Sequence, residues 1–225
     1  MDFPYFDKLW ITLTVAAFLG AGRYILQAIG RPFVIKHVLP DTDKEGNKTS
    51  EEEQQGAAKK IIDHWVDAAV YSFFVWYGWE VCKNEEWFPA YFGGHGEAHK
   101  AFSNVPFVKI NPDLVMFGFC NFGYRVEQLV THLLTSNEAD FEEMLLHDLA
   151  TNALFFGYLS SNLVPVGTMI AWLHDLTDIP FHLAKSANNS YWPDLAPFPF
   201  IFGQLMWIYF RLGCFAHLIY TTYNV

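Results

Sequence analysis

The stretch "LHDLATNALFFGYLSSNLVPVGTMIAWLHDLTD", residues 146–178, decides how the chain is read. It is apolar enough for hydrocarbon, yet it carries a His-Asp pair twice, His147–Asp148 and His174–Asp175, with Asp178 following within one helical turn. A charged side chain at the middle of a membrane span costs about 2.5 kcal/mol or more on insertion scales, so such residues face a bundle interior or a wet cavity. The turn "NLVPVG" separates the two helical runs, which makes them antiparallel neighbours and lets His147 and His174 approach each other inside a bundle. His174 and Asp178 share a helical face, as do His147 and Thr151.

Working outward, the composition agrees with a membrane setting. Hydrophobic residues make up 52% of the 225 and aromatic residues 18%, and the apolar ones come in long blocks. A hydrocarbon core needs roughly 20 apolar residues per helix. Runs of about that length fall at 9–29, 61–82, 111–133, 144–162, 166–184 and 197–222. The expected fold is therefore all-α, a polytopic integral membrane protein of about six transmembrane helices. Its parts are an N-terminal transmembrane helix over 1–30, a polar loop over 31–59 and a transmembrane domain over 60–225. Arg23 interrupts the first span and is expected to snorkel or to pair.

The segment "PDTDKEGNKTSEEEQQG" reads as a disordered linker that a partner would have to hold in place. Six Lys or Arg lie between Arg31 and Lys60 against three in the next loop, which puts both termini on the side opposite this loop. No internal repeat is visible.

A net charge of −10 with no basic stripe excludes nucleic-acid binding. Cys82, Cys120 and Cys214 are too few and too scattered for a disulfide framework or a metal knuckle. The opening "MDFPYFDKLW" has neither the basic start of a signal peptide nor the arginines of a transit peptide, so the first apolar run is expected to be retained.

The buried polar set fits three chemistries. A histidine beside a carboxylate can serve as general base or nucleophile. Two histidines with Asp175 and Asp178 could instead hold a divalent metal, although the HxxxH and HxxHH boxes of di-iron membrane enzymes are missing. The plain alternative is that these residues knit the helices together by hydrogen bonds. Asp63, His64, Asp67, Arg125, Glu127, Asn152 and Arg211 taken singly read as packing or interface residues.

Residues 140–189, "DFEEMLLHDLATNALFFGYLSSNLVPVGTMIAWLHDLTDIPFHLAKSANN", resemble the signature of the ceramide synthase branch of the TLC-domain family, the sphingosine N-acyltransferases. The order of the DF, the Met, the histidine pair, the Ser/Tyr/Asn stretch, the Gly, HDxxD, the Lys and the Asn is kept without gaps. "KKIIDHWVDAAVYSFFVWYGWE", with Lys60, Trp65, Tyr71 and Gly78, and "IYFRLGCFAHLIYTTYNV", with Arg211, are similar to other family helices, so the resemblance spans about residues 58–225.

The resemblance implies a helical membrane barrel and an enzyme that joins an acyl chain from acyl-CoA to a sphingoid amine, with no metal and no cofactor other than that substrate. It implies catalytic roles for His147, Asp148, His174, Asp175 and Asp178, with His147 at the nucleophile position. Lipid-binding roles follow for Thr151, Asn152, Tyr158, Lys185 and Arg211. Three features depart from the signature. Asp148 stands where the family has a second histidine, "NEAD" replaces the basic residues before the DF, and the chain closes at "TTYNV" where the family continues into a further helix.

The expectation is thus a catalytically degenerate, lipid-binding structural subunit of a larger membrane complex, in contact with membrane lipids and other membrane subunits. The alternative is an active ceramide synthase-like N-acyltransferase. The resemblance implies the endoplasmic reticulum, and a recruited subunit would also fit the mitochondrial inner membrane.

Overall fold

The computed structural model of the chain describes residues 5–40, 49–103, 105–135 and 141–223. Residues 41–48, which hold nearly half of the expected linker, lie outside the described residues, as do 136–140, with the whole of "NEAD", and the last two residues of "TTYNV".

Among the described residues the secondary structure is helical. The long elements are α1 (Leu9–His37), α2 (Glu51–Cys82), α3 (Pro112–Leu133), α4 (Phe141–Ser160), α5 (Val164–Asn188), α6 (Pro197–Trp207) and α7 (Phe215–Tyr223). A π-helical segment, Ile208–Cys214, joins the last two. Five of the six apolar runs each form one α-helix near the expected bounds, and the sixth, 197–222, forms α6, the π-helical segment and α7. By length and composition alone, two helical stretches of the described residues can cross a membrane, Phe6–His37 and Pro193–Thr221. The others mix their apolar residues with Trp, Tyr and the charged groups treated below.

The expected polar loop over 31–59, with its linker over 40–56, is corrected at both ends, because residues 31–37 belong to α1 and residues 51–59 are the first turns of α2. Composition suggested coil, but the segment contains S-x-x-E, the capping box that starts helices. The Ser50 backbone N–H and hydroxyl donate to Glu53 Oε2 at 2.9 and 2.8 Å, and the Glu53 N–H donates back to Ser50 Oγ at 3.3 Å. Glu51, Glu52 and Glu53 all sit in the first turn, where the helix dipole favours negative charge.

The fold divides into two compact units. The first comprises Met1–Ala21, Phe74–Leu173 and Cys214–Val225, and the second Gly22–Phe73 and His174–Gly213. In the first unit the interior is aromatic. Phe74, Phe117 and Tyr124 pack ring to ring, and Phe88 and Phe92 meet the Trp172 indole. The same indole donates its N–H to the carbonyl of Val75 at 2.8 Å, so a large apolar ring buries without a stranded donor.

The turn between α4 and α5 is built around Asn162, one of the few residues outside glycine suited to its left-handed backbone, φ 55°. Its side chain donates to the carbonyls of Pro106 and Val108 at 2.6 and 3.0 Å and accepts from the Tyr5 hydroxyl at 3.3 Å. Below the turn, Gly167 lets the two helices close, since a Cβ there would lie 2.2 Å from Tyr158 Cγ.

In the second unit the core is aliphatic, with Val34 and Val38 at the end of α1 packed on Ala58, Ile61 and Ile62 of α2. Arg23 resolves in favour of pairing. Its guanidinium is buried between Asp67 at 2.6 Å and Asp63 at 3.4 Å, and Gln27 donates to the same Asp63 oxygen at 2.6 Å. The α5 proline, Pro180, packs with Phe181 where α6 approaches at Gly203.

A Gly167→Val variant is expected to lose about 3 kcal/mol of stability, the upper end for overpacking a tight core, because the added Cβ would overlap the buried Tyr158 ring. A thermal-unfolding series in one detergent, with Gly157→Val as the open-surface comparison, measures it. A Cβ at Gly157 meets nothing within 4 Å, so that variant is expected to stay close to the parent.

Candidate functional site

The residues singled out by the signature fall into two sets, one in each unit. In the first unit the set is carried by α4 and α3. Successive residues on an α-helix point about 100° apart, so His147 and Asp148 cannot face the same way. His147 points outward, with 66% of its side chain exposed, and its Nδ1 is 3.3 Å from Asp148 Oδ1.

Asp148 turns inward, 14% exposed, and its Oδ2 lies 3.0 Å from Nδ1 of His132 on α3. With the proton on that nitrogen, the imidazole donates to the carboxylate across the helix pair. One turn further along α4, Asn152 donates through Nδ2 to the carbonyl of Asp148 at 2.8 Å and to that of Arg125 at 3.2 Å. Thr151 is half-buried on the same helix, and Tyr158 is buried where α4 meets Gly118 and Gly167. The Phe141 ring closes over His132 at 4.9 Å between centroids.

In the second unit the set is held by α5 and the π-helical segment. A π turn inserts a residue and re-aims its side chains, and such segments recur at functional sites. Here the widened turn carries Arg211. Its guanidinium forms a short ion pair with Asp178, donates to Thr177 Oγ1 at 2.8 Å and to the carbonyl of His174 at 3.1 Å. Thr177 in turn donates to that same carbonyl at 2.9 Å. Asp175 is fully buried, whereas Lys185 is exposed.

The structure therefore brings Asp148 together with Asn152, and Asp178 together with Arg211 and the His174 backbone. Sequence reasoning had singled out neither His132 nor the Arg211–Asp178 pairing. The signal for His132 was available: like His147, it is a titratable side chain in an apolar run, "QLVTHLL". The π turn left no such signal, because "IYFRLGC" reads as ordinary helix.

Chemically, both sets place carboxylates against cations or imidazoles. A carboxylate on an imidazole Nδ1 fixes the ring's tautomer and orientation, which serves a catalytic base and a structural cross-link equally. Asp178 is directly neutralised by the guanidinium.

An Arg211→Leu variant is expected to lose about 2 kcal/mol or more by leaving Asp178 with an unpaired charge. The double variant Arg211→Leu/Asp178→Leu should recover much of that loss. Thermal unfolding of the four proteins in one detergent measures the coupling, and additive losses would mean that the pair contributes nothing.

Comparison with known proteins bears on both sets. The TLC-domain family profile matches residues 60–225. Ceramide synthase 4 of Bos taurus is 27% identical over 125 residues, 55% of this chain and 32% of its own length. Ceramide synthase 5 of Homo sapiens is 27% identical over 127 residues, 56% of this chain and 32% of its own. Ceramide synthase hyl-1 of Caenorhabditis elegans is 23% identical over 163 residues, 72% of this chain and 42% of its own. The chain thus matches less than half the length of each of these relatives. With the all-α architecture and the ordered signature of residues 140–189, the profile match makes this chain a ceramide synthase-like member of the TLC-domain family.

Proposed function

We propose that this chain is an integral membrane protein that uses the TLC scaffold to bind lipid and to pack within a larger membrane assembly, with no acyl transfer from His147. The observation that carries this reading is the division of labour at residues 147 and 148. The inward position of the pair holds a carboxylate already engaged by His132 at 3.0 Å, and the histidine faces outward. An acyl-carrying imidazole needs a base or an orienting carboxylate on one nitrogen and a sheltered acyl donor at the other. At His147 two-thirds of the side chain is open, which supplies no shelter. The Arg211–Asp178 ion pair points the same way, because the carboxylate is already committed to a guanidinium.

The lipid contacts in this reading are the expected ones, Thr151, Asn152, Tyr158, Lys185 and Arg211. Of these, Lys185, exposed on α5, is the cation suited to an anionic headgroup, since the Arg211 guanidinium is committed to Asp178. Family membership supports the endoplasmic reticulum as the membrane, and partner subunits would cover part of the exposed apolar surface of α1 and α6, including Phe18, Ile29, Phe198 and Phe202.

One observation favours a second reading. His132 with Asp148 is itself a carboxylate-oriented imidazole, the arrangement of a general base, and the relatives quoted above are ceramide synthases. In that reading the chain remains an N-acyltransferase taking acyl-CoA and a sphingoid base, with His132 assuming the proton-accepting role.

Purified protein in lipid nanodiscs, given a long-chain acyl-CoA and a sphingoid base, separates the two. The lipid-binding reading expects no amide product, no acyl adduct on the intact mass, and co-purifying phospholipid with the chain running in a large complex on native gels of solubilised membranes. Time-dependent amide formation that Asp148→Asn or His132→Ala abolishes would overturn it in favour of the enzyme.

A further inference from the structure

A cluster in the second unit is used by neither reading. His64 and Asp67 on α2 and His182 on α5 each offer one ligand atom, and the three atoms lie within 4.8 Å of one another. We propose that His64, Asp67 and His182 bind a single divalent transition-metal ion of the zinc class, which joins α2 to α5.

The sequence places the first two ligands three residues apart in "DHWVD", so they project from neighbouring positions on one face of α2. α5 supplies the third, with the His182 ring 5.4 Å from the His64 ring, centroid to centroid, and tilted by 64°. The Nδ1 atom of His182 is buried and makes no hydrogen bond, and its nearest carboxylate oxygen is Asp67 Oδ2 at 3.7 Å. That is too long for a hydrogen bond. It suits two ligands of one ion, since bonds of about 2.1 Å at near-tetrahedral angles put ligand atoms roughly 3.4 Å apart. Side-chain adjustments totalling up to about 1.4 Å, shared between the two partners, draw even the widest pair to that spacing.

The surroundings are those of a supported ligand set. The other carboxylate oxygen of Asp67 accepts from Arg23 Nη2 at 2.6 Å, which fixes the carboxylate with Oδ2 on the His182 side. Arg23 is held from behind by Asp63, and Asp63 by Gln27. Hydrogen-bonded carboxylates of this kind are the usual outer support of a metal ligand. Tyr71 walls the His182 side, its ring 5.3 Å away. Two imidazoles and one carboxylate match the zinc-class donor preference, and three protein ligands leave one position for water or an exchangeable oxygen ligand. Asp178, one turn before His182 on α5, is paired with Arg211 of the π-helical segment, and that pair shares no ligand with this cluster.

The test uses the full chain in nanodiscs, freed of any affinity tag, stripped with chelator and reloaded with Zn²⁺, with metal per chain read by plasma mass spectrometry. One zinc per chain is expected, unchanged in His95→Ala and lost in His64→Ala/His182→Ala. Asp67→Asn should weaken binding about 100-fold or more, at least as much as loss of an outer-shell partner does. Circular dichroism checks that each variant folds. Independently of any variant, Co²⁺ loading of the parent protein should give the intense visible bands of a four-coordinate ion with nitrogen and oxygen ligands. Zinc well below one per chain, weak octahedral cobalt bands, or unchanged binding by a folded double variant would overturn the proposal.

Discussion

A charge carried into apolar helices must find its partner there. That constraint shapes the structure more than any other. A lone ion in a low-dielectric interior is penalised by several kcal/mol, while a paired one roughly breaks even. Three groupings meet the requirement here, and each links two different helical segments. Arg23 of α1 is clamped by Asp63 and Asp67 of α2, His132 of α3 meets Asp148 of α4, and Arg211 of the π turn is tied to Asp178 of α5. Such pairs add little net stability, but a helix that slides or rotates would strand a charge. They therefore fix register in a chain whose apolar surfaces alone would tolerate many packings.

The same constraint shapes how the family signature is laid out in this chain. Helical geometry lets only one of residues 147 and 148 face inward, and the inward residue is the one that differs from the signature. Asp148 is received by His132. An aspartate there adds a negative charge to the interior where a second imidazole would have added a neutral acceptor. A partner across the helix pair follows from that charge. In the second unit, Arg211 reaches Asp178 because the π turn widens the helix at that residue.

Much of this was legible in the sequence. Six apolar runs with the right length mark the long helices, and "NLVPVG" marks the hairpin between α4 and α5. The ordered motif of residues 140–189 carries the family. Arg23 was readable as snorkelling or paired, and only the carboxylates of α2 decide between them. Residues 51–59 were misread because composition was weighed above capping, and three glutamates behind a serine start a helix well. The pairing of His132 with Asp148 and the π turn at Arg211 stayed hidden for a different reason. Both depend on which helix faces which and at what rotation, and hydrophobic periodicity is silent where nearly every position is apolar. Asn162 is an intermediate case: an Asn in a turn suggests a left-handed residue, while its bonds to Pro106, Val108 and Tyr5 come from segments remote in the chain.

Site-directed spin labelling at two consecutive residues tests most directly which member of the His-Asp pair faces inward. Labels are placed on His147→Cys and, separately, on Asp148→Cys in nanodiscs, and their collision rates with molecular oxygen and with a water-soluble nickel chelate are measured. The geometry predicts a label at 147 that is open to one of the two reagents and a label at 148 that is shielded from both. A label at 147 shielded from both, with the one at 148 accessible, would contradict it and return His147 to the interior as a candidate nucleophile.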